Sequence, residues 1–213
     1  MITFGLTGFS GTGKSTLGKQ MQENIPNSKY LDGDIYMYGT LTHFKELTER
    51  MWGDSIYKPN GDLSFTCVTT GGEKGRQFMR FVSPWISEQI ENEIKKAKKE
   101  GVKCFIIDWT GLSSLEVWKK LDVKVHVVSE EEKRHEMLSK RVFRGCTPEF
   151  AKKRDEFFSY AYENMGKSVL KCENDFSEYS KNKNLQTLLY FYERLKGREW
   201  NEKIKKDDIS RDR

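Results

Sequence analysis

The stretch from Gly8 to Thr16 contains the residues with the most evident chemistry, in the order Gly-Phe-Ser-Gly-Thr-Gly-Lys-Ser-Thr. Its spacing matches the pattern G-x-x-x-x-G-K-S of a phosphate-binding loop (P-loop), in which backbone N–H groups surround a phosphate. Glycines within the stretch allow backbone conformations that a side chain would hinder. The stretch is therefore predicted to bind a nucleoside triphosphate. The alternative interpretation is a glycine-rich turn that only joins a strand to a helix.

Within this loop, side-chain types indicate separate tasks. Lys14 is predicted to be catalytic as well as nucleotide-binding, because its ammonium group would reach the β- and γ-phosphates. The hydroxyl of Ser15 is predicted to bind Mg²⁺. The helix that starts here points its positive end at the same phosphates. The other loop residues predicted to bind the nucleotide are Gly8, Ser10, Gly11, Thr12, Gly13 and Thr16.

Three carboxylates are predicted at the ends of strands. Asp32 and Asp34 follow a short strand over 29–31, and Asp108 ends a buried strand over 102–108. Beside a P-loop, such carboxylates are placed to act as a catalytic base or to hold Mg²⁺. We predict that Asp34 is catalytic and that Asp108 is a metal ligand. A turn or a helix cap remains the alternative for each of them.

Basic residues flank a short break at 145–148, between two predicted helices. Arg141, Arg144 and Arg154 are predicted to be catalytic residues on a mobile lid over 141–155. Arginines in such a lid would neutralise the charge of a transferring phosphoryl group. The alternative is a solvated basic helix face.

Residues 35–85 are rich in turns, aromatic rings and basic side chains, which favours a binding segment for a second substrate. Side chains in it that are suited to hold a phosphate or stack on a ring are Tyr57, Lys58, Arg76, Arg80 and Phe81. Phe81 and Trp85 are nevertheless predicted to lie in the core.

The elements that must position these residues alternate between strand and helix, which predicts an α/β fold with a buried parallel sheet. Strands are predicted over 1–7, 29–31, 102–108, 121–128 and 169–172, and helices over 14–24, 35–50, 84–100, about 131–144, from 149 and over 185–195. We expect a single domain over 1–197, followed by a charged tail over 198–213.

Composition sets wider limits. The 213 residues are 36% hydrophobic and 32% charged, and no run approaches the roughly 18 apolar residues of a membrane span. We therefore expect no membrane association and a cytoplasmic location. Four cysteines without a C-x-x-C pair argue against a zinc site or a disulfide framework. The net charge of +5 suits polyphosphate ligands as well as nucleic acid.

Taken together, these features resemble the nucleotide-kinase branch of P-loop proteins, and most closely the dephospho-coenzyme A kinase family, over nearly the whole chain. The matching segments are Gly5–Gly8 leading into the P-loop, Asp32–Asp34, Trp52-Gly53, Asn60–Leu63, Ser83–Ile86, Arg144–Arg154 and Glu173–Ser177. The resemblance implies a three-layer kinase fold with a five-stranded parallel sheet and a helical lid, and ATP and Mg²⁺ as cofactors. It also implies that Asp34 takes the proton from the acceptor hydroxyl and that Asn174 lies on the adenine side.

The chain departs from the family's pattern around the acceptor. It has Ser64-Phe65 in place of an arginine, Ser83 in place of a histidine, a different run over 109–112, and Phe158 in place of a glutamine. The leading interpretation is ATP-dependent phosphoryl transfer to a hydroxyl of a nucleotide-like small molecule, with dephospho-coenzyme A as first candidate. The alternatives are a (deoxy)nucleoside monophosphate kinase, a kinase of a modified base or nucleic-acid hydroxyl, and a nucleotide-dependent binding module without enzymatic activity. Nucleic acid is the less favoured partner.

Overall fold

The computed structural model describes residues 1–59, 61, 63–140, 147–163, 165–166 and 168–211, with the backbone alone for Pro148 and residues 199–211. The strands are β1 (Ile2–Thr7), β2 (Ser28–Asp32), β3 (Cys104–Asp108), β4 (Val123–Val128) and β5 (Leu170–Glu173). The helices are α1 (Lys14–Asn24), α2 (Asp34–His43), α3 (Lys45–Trp52), α4 (Thr66–Thr70), α5 (Gly72–Lys99), α6 (Glu116–Lys120), α7 (Glu131–Ser139), α8 (Pro148–Phe158), α9 (Tyr160–Glu163) and α10 (Glu178–Arg211).

The five strands form one parallel sheet in the order β2-β3-β1-β4-β5, which confirms the predicted sheet. All six residues of the central strand β1 are buried, as expected for a strand covered on both faces. In the register of β2 and β3, Asp32 lies opposite Asp108. The two neighbouring strands therefore end level, and their terminal carboxylates lie on the same edge of the sheet.

Helices cover both faces of the sheet, so the predicted three-layer architecture is confirmed. On one face, Phe4 and Leu6 share a core with Leu17 of α1 and Leu188 of α10. A second core, which contains the buried face of α5, covers the other face. Here a Cβ at Gly5 would lie 2.4 Å from Leu121 Cδ1, so glycine in β1 makes room for the segment before β4.

Helix α5 differs most from its prediction. It was expected to start at Pro84, but it runs through this proline from Gly72 to Lys99. Phe78, Val82, Ile86 and Ile90 are all buried at helical spacing on both sides of Pro84. The packing of this apolar stripe outweighs the hydrogen bond that a proline removes from a helix.

Other boundaries also shifted. The predicted helix over 35–50 is divided at Phe44 into α2 and α3, and the final helix predicted over 185–195 lies within the longer α10. The prediction that Phe81 lies in the core is wrong, because the side chain is 58% exposed on the outer face of α5. In the parts of the chain that the structure describes, no helix has both the length and the apolar character needed to cross a membrane.

Candidate active site

The P-loop joins the end of β1 to the start of α1, and its glycines have left-handed backbone conformations. Gly8, Gly11 and Gly13 have φ angles of 141°, 86° and 95°, which L side chains rarely adopt. A Cβ at Gly13 would in addition lie 2.4 Å from Asn174 Nδ2. Glycine at these positions lets the chain curl tightly before the helix begins.

Lys14 is the first residue of α1, and its side chain is buried against the loop that precedes it. Its Nζ donates hydrogen bonds to the carbonyl oxygens of Gly8, at 2.8 Å, and Phe9, at 2.9 Å. An anion bound in the loop would compete with these carbonyl groups for the ammonium group. The ammonium group of Lys14 therefore lies against the loop in which a phosphate is predicted to bind.

A cleft opens in front of this lysine, and we name it the P-loop cleft. It brings together five of the ten predicted nucleotide and metal ligands with three of the predicted catalytic residues, Lys14, Asp34 and Arg154. Its lining consists of Ser10, Gly11, Lys14, Ser15, Asp32, Asp34, Asp108, Thr110, Leu138, Phe150 and Arg154.

Asp108 lies at the inner end of this cleft and is only 3% exposed. Its Oδ2 accepts a hydrogen bond from Tyr30 Oη at 2.8 Å. Burial raises the pKa of the Asp108 carboxyl, although the charge of Lys14 and hydrogen bonds from Tyr30 and Ser15 oppose this shift. The Asp108 carboxyl and the Ser15 hydroxyl line the same cleft, where the Mg²⁺ site is predicted.

The turn from Asp32 to Asp34 is fixed from two sides. Gly33 N donates to the carbonyl oxygen of Asp108 at 2.8 Å, and Asp34 N donates to Asp32 Oδ1 at 3.0 Å. Gly33 also packs so closely on Trp109 that a Cβ would lie 2.6 Å from the Trp109 Cβ. Asp32 thus serves the turn, as the alternative interpretation proposed, while Asp34 is held at the start of α2 and lines the cleft.

Arg154 is the predicted lid arginine that the structure describes. It lies on α8, whose first turn is capped by Thr147 Oγ1, which accepts a hydrogen bond from Phe150 N at 3.2 Å. Arg154 Nε is buried and has no hydrogen-bond partner among the described residues. Arg141 and Arg144, the other two predicted catalytic arginines, lie outside the described residues, as does the start of the predicted lid.

Asn174 follows β5 and is buried against the other side of the P-loop. Its Nδ2 donates to the carbonyl oxygen of Thr12 at 2.8 Å, and its Oδ1 accepts from Phe176 N at 2.9 Å. A shallow cleft beside it contains the remaining predicted nucleotide contact on α1, Thr16. The lining of this Asn174 cleft is Gly11, Gly13, Thr16, Leu17, Gln20, Val127, Met137, Asn174, Phe176, Lys181 and Asn184.

A further cleft adjoins the P-loop cleft at Asp32, Asp34, Phe150 and Arg154, and we name it the α2 cleft. The rest of its lining comes from the predicted acceptor region: Ile35, Met37, Tyr38, Lys58, Ser64, Phe65, Thr66 and Thr69.

Of the basic and aromatic side chains predicted to bind the acceptor, the α2 cleft contains Lys58 alone. Tyr57 Oη instead donates to Glu49 Oε1. Arg76 and Arg80 both pair with Glu73 on the exposed face of α5. These three side chains are therefore engaged in surface contacts rather than in the cleft.

Sequence reasoning missed Tyr30 and Phe150 at this site, and Arg134 behind the P-loop. Tyr30 lies two residues before Asp32 on β2, and strand periodicity places the two side chains on the same face. This two-residue spacing could have indicated from the sequence that Tyr30 lies near the site. Its ring packs on α1 where Gly18 leaves room, since a Cβ there would lie 2.6 Å from Tyr30 Cε2. Burial, followed by the charge of Asp108, raises the pKa of Tyr30, which keeps it a hydrogen-bond donor.

The residues present fit a magnesium–triphosphate better than a metal held by protein alone. Ser15 and Asp108 offer hard oxygen ligands, which Mg²⁺ prefers. The described residues contain no group of three or more His, Cys, Asp or Glu side chains that could hold a metal ion. Sites of this kind complete the coordination of Mg²⁺ with phosphate oxygens and water.

The fold and these clefts define a protein with the P-loop kinase architecture. No protein-family model matches the chain. Its sequence is 28% identical over 141 residues to dephospho-CoA kinase from Clostridium perfringens (strain 13 / Type A). This match spans 60% of the chain and 66% of that relative, which is slightly less than two thirds.

Solved structures share the fold at lower identity. TT1252 from Thermus thermophilus is 19% identical with a TM-score of 0.66, over 89% of this chain and 96% of that one. Shikimate kinase from Bacteroides thetaiotaomicron is 16% identical with a TM-score of 0.51, over 90% of this chain and 98% of that one. The two named relatives are both kinases, and their names specify different acceptors, so the fold does not fix the acceptor.

Proposed function

We propose that this chain is an ATP-dependent kinase that transfers the γ-phosphoryl group to a hydroxyl of a nucleotide-like small molecule. One observation carries the proposal: Lys14, Asp34 and Arg154 line the same cleft, beside Asp108. A phosphate ligand, a candidate base and a guanidinium group whose Nε has no hydrogen-bond partner among the described residues thus line one cleft. Positioning and electrostatic stabilisation of this kind supply most of the catalysis in phosphoryl transfer.

Each side chain has a distinct role in this proposal. Lys14 and the P-loop amides hold the phosphates, and Ser15 and Asp108 hold Mg²⁺. Asp34 orients the acceptor hydroxyl and takes its proton, because it lies where the P-loop cleft meets the α2 cleft. Arg154 compensates the charge that develops on the transferring group. When bound, the magnesium–ATP complex supplies the phosphoryl group and an electrophilic metal ion.

The nucleotide is proposed to extend from the P-loop along the Asn174 cleft. Asn174 and Phe176 would border the adenine there, since both line that cleft. The acceptor is proposed to occupy the α2 cleft, within the region 35–85. Arg141 and Arg144, together with the lid over 141–155, keep their predicted role in charge neutralisation. A cytoplasmic location also stays a prediction of the sequence.

Dephospho-coenzyme A is the first candidate acceptor, because the relative from Clostridium perfringens is named for that activity. The α2 cleft favours a second candidate, a (deoxy)nucleoside monophosphate. The segment 35–85 contributes one basic residue to its lining, Lys58, and otherwise hydroxyl and apolar side chains such as Ser64 and Phe65. A modified base or nucleic-acid hydroxyl is the less favoured form of the same chemistry.

A panel of acceptors incubated with ATP and Mg²⁺ tests the proposal. We expect one acceptor to gain the mass of a single phosphoryl group while ADP forms in equal amount. If nucleic acid were the acceptor, turnover would fall steeply with salt, whereas turnover of a small molecule would not. ADP formation that no nucleotide-like acceptor stimulates would contradict the proposal.

Asp34→Asn separates a kinase from a binding module that does not transfer phosphate. The amide keeps the size of the side chain but cannot take a proton, so we expect turnover to fall on the order of 10²–10⁴-fold while ATP affinity is retained. Glu23→Gln, which neutralises an exposed carboxylate on α1, is the matched control. A binding module would show the same ATP affinity and no acceptor-dependent turnover in either protein.

A further inference from the structure

Arg134 is a buried charge outside the predicted site. It lies on α7 and is 2% exposed. Its Nη1 donates to the carbonyl oxygen of Ser10 at 3.2 Å, and its guanidinium carbon lies 5.2 Å from the centre of the Phe9 ring. A Cβ at Gly11 would lie 3.1 Å from Arg134 Cγ. Phe9, Ser10 and Gly11, three consecutive residues of the P-loop, thus contact the Arg134 side chain.

The same guanidinium group binds α8. Nη1 and Nη2 of Arg134 donate to the two carboxylate oxygens of Asp155, with the Nη1–Oδ1 distance at 3.2 Å. Arginine and carboxylate match in this bidentate geometry, which fixes orientation as well as distance. His135 Nε2 lies 3.3 Å from Asp155 Oδ2 on the same side. The Arg134–Asp155 pair therefore connects α8 to the P-loop.

Asp155 is next in sequence to Arg154. Successive residues of an α-helix point about 100° apart, so holding Asp155 against Arg134 also fixes the direction of Arg154. In that orientation Arg154 lines both the P-loop cleft and the α2 cleft. Its Nε is buried and lacks a hydrogen-bond partner among the described residues. A buried polar atom without a partner needs an explanation, and an anionic ligand that accepts a hydrogen bond from it would supply one.

We propose that Arg134 is a positioning residue that couples the P-loop to α8 and thereby places Arg154 for catalysis. The proposal rests on the kinase function proposed above. Lys14 now donates to the carbonyl groups of Gly8 and Phe9, and it must exchange these bonds for phosphate oxygens when a nucleotide binds. Phe9 also contacts Arg134, so a change in the loop reaches α8 through this side chain.

A purely structural role is the competing explanation, because a buried ion pair also holds two helices together. The two explanations differ in how the effects of mutations combine. If Asp155 acts through Arg154, removing Asp155 matters only while Arg154 is present. If the ion pair only stabilises the fold, the two losses are independent and multiply.

The first experiment is therefore a double-mutant cycle on acceptor-dependent turnover, with Asp155→Asn, Arg154→Met and the double variant. We expect kcat to fall roughly 10-fold in Asp155→Asn and roughly 100-fold in Arg154→Met, with KM for ATP within about threefold of wild type. The double variant should be no more than about threefold slower than Arg154→Met. A product of the two single losses, roughly 1000-fold, would overturn the proposal.

Matched controls are available on the same helices. Glu156→Gln neutralises the exposed carboxylate next to Asp155, and Lys133→Met removes the exposed charge next to Arg134. Both should leave kcat unchanged. Arg134→Met is at risk of not folding, so Arg134→Lys, which keeps the charge but loses the bidentate geometry, is used in its place. It should reproduce the Asp155→Asn effect, and a wild-type kcat in Arg134→Lys would overturn the proposal.

The second experiment does not depend on an acceptor. Amide hydrogen exchange of residues 149–158 is measured with and without a non-hydrolysable ATP analogue and Mg²⁺. We expect the analogue to slow exchange in α8 of the wild type, and to lose this effect in Asp155→Asn although it still binds. Equal protection in both proteins, or none in the wild type with the analogue bound, would overturn the proposal. Failure of the analogue to bind the wild type would instead refute the proposed function itself.

Discussion

The two clefts that meet at Asp34 and Arg154 differ in how deeply the residues that line them are buried. The P-loop cleft is formed by a backbone turn and by buried side chains such as Lys14, at the start of α1, and Asp108, at the end of β3, both under 8% exposed. The α2 cleft is formed by side chains, of which Ile35 and Tyr38 are more than half exposed. If the proposed function is correct, backbone and buried side chains position the phosphates, whereas exposed side chains of the α2 cleft select the acceptor.

On the P-loop side, the largest effect is expected from Lys14→Met. The thioether keeps the length of the side chain but cannot neutralise phosphate, so we expect kcat/KM to fall on the order of 10²–10³-fold or more, with weaker ATP binding. The measurement is steady-state kinetics together with ATP titration. Lys19→Met, an exposed lysine on the same helix, should behave as wild type. Unchanged ATP affinity in Lys14→Met would show that the loop does not bind the triphosphate.

On the α2 side the expected effect is smaller and of a different kind. Lys58→Met should raise KM for the acceptor roughly 10-fold, the equivalent of about 1.4 kcal/mol, because Lys58 is the basic residue that the segment 35–85 contributes to the cleft. ATP affinity should not change. Lys103→Met, an exposed lysine before β3, is the control. A loss of ATP affinity in Lys58→Met would contradict the separation of the two clefts.

The same difference explains what could be predicted from the sequence. The P-loop pattern is local, since glycine spacing and the flanking strand and helix are contiguous. Asp32 and Asp108 were predictable because neighbouring parallel strands end at one edge of a sheet. The contact of Arg134 with Ser10 spans 124 positions, and no local pattern indicates it. The extension of α5 through Pro84 was missed for a similar reason, because burial against distant residues decides it.

Two departures from the dephospho-coenzyme A kinase pattern, Trp109 and Phe158, pack against each other. Trp109, which follows β3, and Phe158, at the end of α8, are both 1% exposed, and their ring centres lie 6.3 Å apart in an edge-to-face arrangement. Trp109 Nε1 also lies 2.9 Å from Met37 Sδ of α2. Where the family has a polar glutamine, this chain has an apolar contact that packs α8 and α2 around the end of β3. Separately, neither residue indicated this from the sequence.

The smallest effect that we predict concerns stability rather than turnover. Burial raises the pKa of the Asp108 carboxyl, which means that folding disfavours its charge. Asp108→Asn removes the charge and keeps an oxygen that accepts the hydrogen bond from Tyr30. We expect the melting temperature at pH 7 to rise by roughly 2–4 °C, the shift that about 1 kcal/mol produces in a domain of this size, while kinase activity is lost.

The pH dependence gives the sign of this effect independently. In the unfolded chain the carboxyl titrates near its usual value of 3.8, and in the folded protein it titrates at higher pH. The cost to the free energy of unfolding is therefore fully present above the folded pKa, and it disappears as the pH falls towards 3.8. The stability gain of Asp108→Asn, measured by thermal unfolding, should therefore be larger at pH 7 than at pH 4.

Tyr30→Phe removes a hydrogen bond to the ionised carboxylate of Asp108, so it should lower the melting temperature at pH 7. If Asp108→Asn destabilises the protein at pH 7, Lys14 outweighs burial at Asp108, and the carboxylate belongs to the fold as well as to the proposed metal site.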